Sequence, residues 1–207
     1  MSRLLIKICG LTNEADLKFC QERGIDLTGF IFHPLSPRYV HPELVGSWVK
    51  KNELRVGVFV DEKPELILEA INIAGLDLVQ LHGDQGPETC ALIGPERVIR
   101  TFWPERSASV QDFMAELEAF KYVCRYFLLD AGKNMGGHGR SIMSPWLKKV
   151  ASPRHYFLAG GLGPDNIEKV IHMGMAGLDL NSGVEKNPGQ KDPQKIKKVL
   201  DIIRRQK

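Results

Sequence analysis

Cys9, Asp130 and Arg38 are the residues of this sequence whose types and settings suit proton transfer on a small acidic molecule. Cys9-Gly10 closes the first apolar run, and Lys7, two residues earlier, shares its side of an extended chain. A cysteine in that setting is an inert core residue or, beside an ammonium, a thiolate base favoured over the ordinary thiol pKa of about 8.5. Lys7 has a second use, pairing with a barrel carboxylate such as Asp179, and the two uses are compatible. Asp130 directly follows Phe127-Leu128-Leu129, where it is a solvated turn residue or, partly desolvated, a general acid that keeps its proton. Arg38, held between Pro37 and Tyr39, presents a planar fork matched to a carboxylate.

Two further stretches read as anion sites. Gly160-Gly161 and Ser182-Gly183 each follow an apolar run, and glycine lets backbone N–H groups come close to a phosphate. One such turn is only a turn; two at corresponding positions point to a ligand. Gln80 and His82 alternate onto one side of their run, to line a pocket or to hydrogen-bond structurally. The six histidines show no metal-ligand spacing, so no metal is expected. Neither a dinucleotide fingerprint nor a serine nucleophile elbow is present.

These residues sit at the ends of short apolar runs that alternate with amphipathic stretches. The expected strands are 4–9, 27–31, 55–60, 78–81, 97–101, 126–129, 156–159 and 177–180. The expected helices are 13–23, 42–50, 64–74, 87–93, 110–121, 145–150, 164–172 and 193–204, several of them opening on proline. Eight βα units with no leftover segment predict one α/β domain over 1–207, a (β/α)8 TIM barrel. In that fold, active sites lie at the C-terminal ends of the strands, with phosphate held after strands 7 and 8. Ring order then runs phosphate at 7–8, Cys9 at 1 and Arg38 at 2. A substrate with phosphate at one end and carboxylate at the other would lie over Cys9. Strands 1 and 6 are nearly opposite, so Cys9 and Asp130 would flank it as base and acid.

Bulk composition excludes other classes. The 207 residues are 43% hydrophobic and 26% charged with a net charge of +3, too weak for a nucleic-acid binder. No apolar run approaches the length of about 18 residues that a membrane helix needs, and the N-terminal run is broken by Lys7. Four cysteines without a CxxC pair fit a reducing, cytoplasmic setting. With tight loops and no extension, a monomer is the expectation.

The ordered motifs resemble those of the phosphoribosylanthranilate isomerase family. They are Lys7-Ile8-Cys9-Gly10-Leu11-Thr12, Gly29-Phe30-Ile31-Phe32 with Ser36-Pro37-Arg38, and Gly57-Val58-Phe59-Val60. Further along stand Gln80-Leu81-His82-Gly83, Leu128-Leu129-Asp130, Leu158-Ala159-Gly160-Gly161-Leu162, and Asp179-Leu180-Asn181-Ser182-Gly183-Val184-Glu185. The resemblance implies a cofactor-free Amadori rearrangement in tryptophan biosynthesis, acting on a small phosphorylated substrate. Asp130 would be the acid and Cys9 the base; Arg38 would hold the anthranilate carboxylate, and the Gly160-Gly161 and Ser182-Gly183 backbones the phosphate. The sequence departs from the family at Gly136-Gly137-His138-Gly139 and Ser141-Ile142-Met143-Ser144-Pro145-Trp146, where a threonine and an acid are usual. The related sugar isomerase of histidine biosynthesis would want a carboxylate where Cys9 stands. A silent barrel serving as a binding subunit would have lost Cys9 or Asp130.

Overall fold

The structure, a computed structural model, describes residues 3–130 and 155–205. Eight parallel strands close a barrel in sequence order: β1 (Leu5–Ile8), β2 (Leu27–Ile31), β3 (Leu54–Phe59), β4 (Leu78–Leu81), β5 (Val98–Phe102), β6 (Tyr126–Asp130), β7 (Tyr156–Ala159) and β8 (Gly177–Leu180). Each lies within one residue, at either end, of the strand expected from the sequence. The helices are α1 (Glu14–Glu22), α2 (Pro42–Ser47), α3 (Pro64–Ala74), α4 (Pro87–Ile93), α5 (Val110–Phe120) and α6 (Pro193–Arg205). Proline opens α2, α3, α4 and α6, where a missing N–H leaves no helical bond unmade. Asn13 and Ser109 cap α1 and α5 by accepting from the backbone N–H three residues on.

Period-2 alternation sorts the barrel into tiers. The lowest inward tier is apolar, with Leu27, Val56, Leu78, Ile99, Leu128 and Phe157 in one buried cluster. A larger apolar cluster fills the space between strands and helices. Above the inner cluster, the next inward positions turn polar, with Lys7, Gln80, Thr101 and Asp179 all buried. The rim above those carries Cys9, His82 and Asp130. The polarity of the interior therefore rises towards the C-terminal ends of the strands, where ligands bind in this architecture.

Three differences from the sequence expectation have local causes. Helix α2 stops at Ser47, short of the expected 50, because Trp48 turns extended and buries its ring beside Phe30. The helix expected over 164–172 is instead two 3-10 turns, Ile167–Lys169 and Ile171–Met173. Val170 leaves ideal helical angles between them, and Gly174 ends the segment left-handed. A hairpin that the sequence reading missed, β9 (Glu185–Asn187) with β10 (Gln190–Lys191), follows β8. The expected helix 145–150 and the motif departures at Gly136–Gly139 and Ser141–Trp146 lie outside the described residues.

Candidate active site

A cavity of 610 Å³ opens at the C-terminal rim of the barrel. It is lined by Cys9, Arg38, Gln80, His82, Asp130, Gly160, Gly161, Asp179, Ser182 and Gly183, which are the site residues expected from the sequence. Ile31, Val58, Val60 and Leu128 add an apolar surface between them.

The wall formed by β8, β1 and β2 is charged and closed. Register places Lys7 opposite Asp179, and Lys7 Nζ meets Asp179 Oδ2 at 2.9 Å with the lysine fully buried. Burial alone would strip the Lys7 proton, but Asp179 and Cys9 outweigh it and hold the ammonium above its ordinary pKa. Gly29 on β2 makes this crowding feasible. A Cβ there would lie 2.8 Å from Cys9 Sγ and 3.1 Å from Lys7 Nζ. The expectation that Lys7 favours a resting thiolate is corrected by the geometry. Burial pushes the Cys9 thiol up, Asp179 adds to that, and the opposing pull of Lys7 is insufficient because Lys7 is already paired.

Arg38 reaches the same wall from the loop after β2. Its Nε donates to Glu185 Oε1 and Oε2 at 2.9 and 3.1 Å, and its Nη2 donates to Oε2 at 2.6 Å. Glu185 also accepts from Lys191 Nζ at 2.7 Å and from the Gly189 N–H at 3.1 Å. Burial would raise the Glu185 carboxyl, but the bonds from Arg38 and Lys191 hold it below its usual range. Lys191 further donates to Asn181 Oδ1 at 2.9 Å. The β9–β10 hairpin is pinned in turn, Gly189 O accepting from Thr12 and the Lys191 N–H donating to Asp16. Nη1 is the guanidinium nitrogen that none of the Glu185 bonds uses.

On the opposite wall, β4 to β6, the contacts around His82 are looser and join it to the uncharged Gln80 and Thr101. The Gln80 amide nitrogen donates to His82 Nδ1 at 3.2 Å, and Thr101 Oγ1 lies 3.2 Å from the same nitrogen. With Nδ1 accepting, the neutral ring carries its proton on Nε2, which faces Asp130 Oδ2 at 3.9 Å. Loss of solvation pushes His82 down to about 4, so the ring is uncharged at neutral pH. Trp103 packs against it edge-on at 5.1 Å.

Between the walls lie the glycine loops. Gly160 and Gly161 have φ of 111° and 64°, a backbone that a side chain would strain, so the chain after β7 turns sharply with its backbone facing the cavity. Asn166 braces that turn, accepting from the Gly163 N–H at 2.8 Å and donating to Gly161 O at 3.0 Å. Gln80 Oε1 and Asp179 Oδ1 are buried acceptors with no hydrogen-bond partner among the described residues.

Sequence reasoning missed Asn181 and Lys191 and gave Glu185 no role. The signal was present in Glu185, an acid beside the second glycine pair, but its partner Arg38 lies 147 residues away. Among the described residues, His33, Asp61 and Glu62 form the group whose ligand-type atoms, all within 4.8 Å, could hold a metal ion. His33 Nδ1 pairs there with both carboxylates, at 3.0 and 3.1 Å.

A closed parallel barrel whose rim cavity gathers a thiol, a carboxyl and two glycine loops defines an enzyme of the (β/α)8 class. Residues 6–202 match the family model described as N-(5'phosphoribosyl)anthranilate (PRA) isomerase. The N-(5'-phosphoribosyl)anthranilate isomerase of Maridesulfovibrio salexigens is 41% identical over 201 residues, covering 97% of this chain and 98% of that one. The phosphoribosyl anthranilate isomerase structure from Thermus thermophilus superposes with a TM-score of 0.83 at 30% identity, covering 99% and 100% of the two chains. Another solved isomerase, in complex with reduced 1-(o-carboxyphenylamino)-1-deoxyribulose 5-phosphate, gives a TM-score of 0.79 at 33% identity over 98% and 99%. This chain belongs to the N-(5'-phosphoribosyl)anthranilate isomerase family.

Proposed function

We propose that the rim cavity converts N-(5-phosphoribosyl)anthranilate to 1-(2-carboxyphenylamino)-1-deoxyribulose 5-phosphate, as a step of tryptophan biosynthesis. Asp130 donates its proton to the ribose ring oxygen, the C1–O bond breaks, and the anilino nitrogen carries the charge as an iminium. Cys9 removes the C2 proton, giving an enolamine that tautomerises to the C2 ketone. C1 is reduced and C2 oxidised within one molecule, so the reaction asks for no external electron carrier. The observation that carries this reading is the placement of Cys9 and Asp130 on opposite walls of one cavity.

The remaining residues fit the two ends and the middle of that substrate. The backbones of Gly160-Gly161 and Ser182-Gly183 take the phosphate. Arg38 takes the anthranilate carboxylate through Nη1, because its Nε and Nη2 are committed to Glu185. Ribose hydroxyls donate to Gln80 Oε1 and Asp179 Oδ1, buried acceptors on residues lining the cavity that lack partners among the described residues. Every group comes from one chain, which supports a monomer as the working unit; sedimentation equilibrium at twice 23.2 kDa would contradict it. The four unpaired cysteines support a reducing, cytoplasmic setting. Among the described residues no helix is long and apolar enough to cross a membrane.

The test is turnover of freshly prepared phosphoribosylanthranilate, followed by its fluorescence decay against a protein-free control. Product is identified by coupling to indoleglycerol-phosphate synthase. Enzyme-dependent decay with product supports the reading, and folded protein that gives no product overturns it.

A further inference from the structure

Outside the barrel interior, two cysteines that the reaction does not use face each other. Cys90 is fully buried on α4, and Cys124 is half-buried in the turn between α5 and β6. The Cys124 thiol donates to Cys90 Sγ at 3.8 Å. A disulfide needs the sulfurs at about 2.05 Å, which leaves less than 2 Å of approach. Cys124, unlike the buried Cys90, also lines a cavity of 470 Å³ beside α5 and β6, so the pair borders that space on the Cys124 side.

A buried cation nearby explains why this pair is reactive. Arg100 on β5 is 4% exposed, yet among the described residues it makes no ion pair with a carboxylate. Its Nη1 donates to the carbonyls of Leu81, Gly83 and Thr101, its Nε is buried without a partner, and its plane lies over the rings of Phe102 and Phe120. A guanidinium desolvated in this way needs a negative neighbour. Of the groups around Arg100, Cys90 supplies the strongest attraction, ahead of Glu116, Cys124 and Asp84. The same contacts act in reverse. The hydrogen bond from Cys124 holds the Cys90 thiol below its ordinary value, burial opposes this, and Arg100 adds to the lowering. Cys124, as the donor, is pushed well up. With the Cys124 thiol directed at its sulfur, Cys90 is the sulfur placed to attack and Cys124 the one placed to resolve.

The geometry points to Cys90 and Cys124 as a hydroperoxide-reactive dithiol, a modification site separate from the isomerase cavity that closes to an intramolecular disulfide. The Cys90 thiolate attacks one peroxide oxygen; the O–O bond breaks, and hydroxide leaves and is protonated to water. Cys90 is then a sulfenic acid. The Cys124 sulfur attacks it, the S–S bond forms, the S–O bond breaks, and hydroxide departs with the Cys124 proton as a second water. Two electrons pass from the sulfurs to the peroxide.

The test exposes the full chain to one equivalent of hydrogen peroxide, then denatures it, alkylates free thiols and maps the digest by mass. The internal reference is Cys20, which is buried and pushed up to about 12. Wild-type protein should yield a Cys90–Cys124 linked peptide, split by dithiothreitol, about tenfold or more faster than Cys20 loses its thiol. Cys124→Ser should leave a Cys90 sulfenic acid that dimedone traps, and Cys90→Ser should leave Cys124 unreactive. Absence of the linked peptide, or its formation no faster than Cys20 loses its thiol, would overturn the proposal, as would Cys124 reacting undiminished in Cys90→Ser. The wild-type digest decides the matter even where a variant fails to fold.

Discussion

The two long walls of the cavity are built on opposite principles. On β8–β1–β2 the charges are buried in pairs at short range, Lys7 with Asp179 at 2.9 Å and Arg38 with Glu185 at 2.6 Å. On β4–β6 the contacts are longer, with His82 held at 3.2 Å by the uncharged Gln80 and Thr101 and lying 3.9 Å from the Asp130 carboxyl. A wall of mutually locked charges fixes its side chains, Lys7 against Asp179 and both Arg38 and Lys191 against Glu185. Cys9, with an ammonium beside it, still rests as a thiol because its burial outweighs the pull of Lys7 and Asp179 adds to the rise. The other wall presents an imidazole that is uncharged at neutral pH, 3.9 Å from the Asp130 carboxyl. Cys9 and Asp130, the proposed base and acid, therefore share one cavity while different groups surround them.

Removing either proton-transfer group should have the largest effect. Asp130→Asn and Cys9→Ser are each expected to lower kcat by about 10²–10⁴, the usual range for a lost acid or base. Near-wild-type kcat in one of them would remove that wall from the chemistry. The next effect should separate the walls by stability. Lys7→Met leaves the Asp179 carboxylate buried and unpaired, an expected loss of about 3–5 kcal/mol in urea unfolding. His82→Gln replaces one neutral group by another and should cost less than about 1.5 kcal/mol. Equal losses in the two would erase the distinction between them.

A smaller effect tests how firmly the charged wall is locked. Arg38→Ala should lower kcat/KM by about 1.5–3 kcal/mol of transition-state binding, as for a lost charged hydrogen bond. Glu185→Gln keeps the shape and one accepting oxygen but removes the charge that aligns Arg38. Its loss should fall in KM, with kcat within a few-fold of wild type. A fall in kcat with KM unchanged would place Glu185 in the chemical step instead.

The β4–β6 wall was more legible in the sequence than the β8–β1–β2 one. Gln80, His82 and Asp130 stand at the ends of their own strands, and alternation alone aims them inward. The same reasoning reached Lys7, Cys9 and Asp179, because β1 and β8 must be neighbours once eight strands close into a ring. It stopped at the hairpin. Glu185-Lys186-Asn187 has neither an apolar run nor alternation, and β10 is two residues long, so nothing local marked a strand. What those residues do depends on Arg38 from the loop after β2, two strands along the ring, a contact between loops that no periodicity encodes. Composition likewise suggested a helix at 164–172, since it cannot weigh a left-handed Gly174 against a short apolar face.

The walls should also separate on a pH axis, with the smallest effect of the set. Cys9 rests above its ordinary pKa, so its thiolate fraction grows as pH rises through neutrality, and kcat/KM should climb with it. Cys9→Ser should lose that limb, whereas His82→Gln should keep it. The stability of His82 moves in a different window. Its folded value of about 4 lies below the ordinary 6.5, so from pH 6.5 down to 4 the unfolded chain binds a proton that the folded chain refuses. Stability contributed by the neutral ring is complete above that window and is lost as pH falls through it. The full one-proton slope is about 1.4 kcal/mol per pH unit. With the side chain 32% exposed at the open cavity, the observed slope should be only a fraction of that. Urea unfolding of wild type and His82→Gln at pH 7 and pH 5 measures the difference. A wild-type loss on acidification that exceeds the variant's assigns the slope to His82, and parallel losses would mean the ring protonates freely and is not neutral below pH 6.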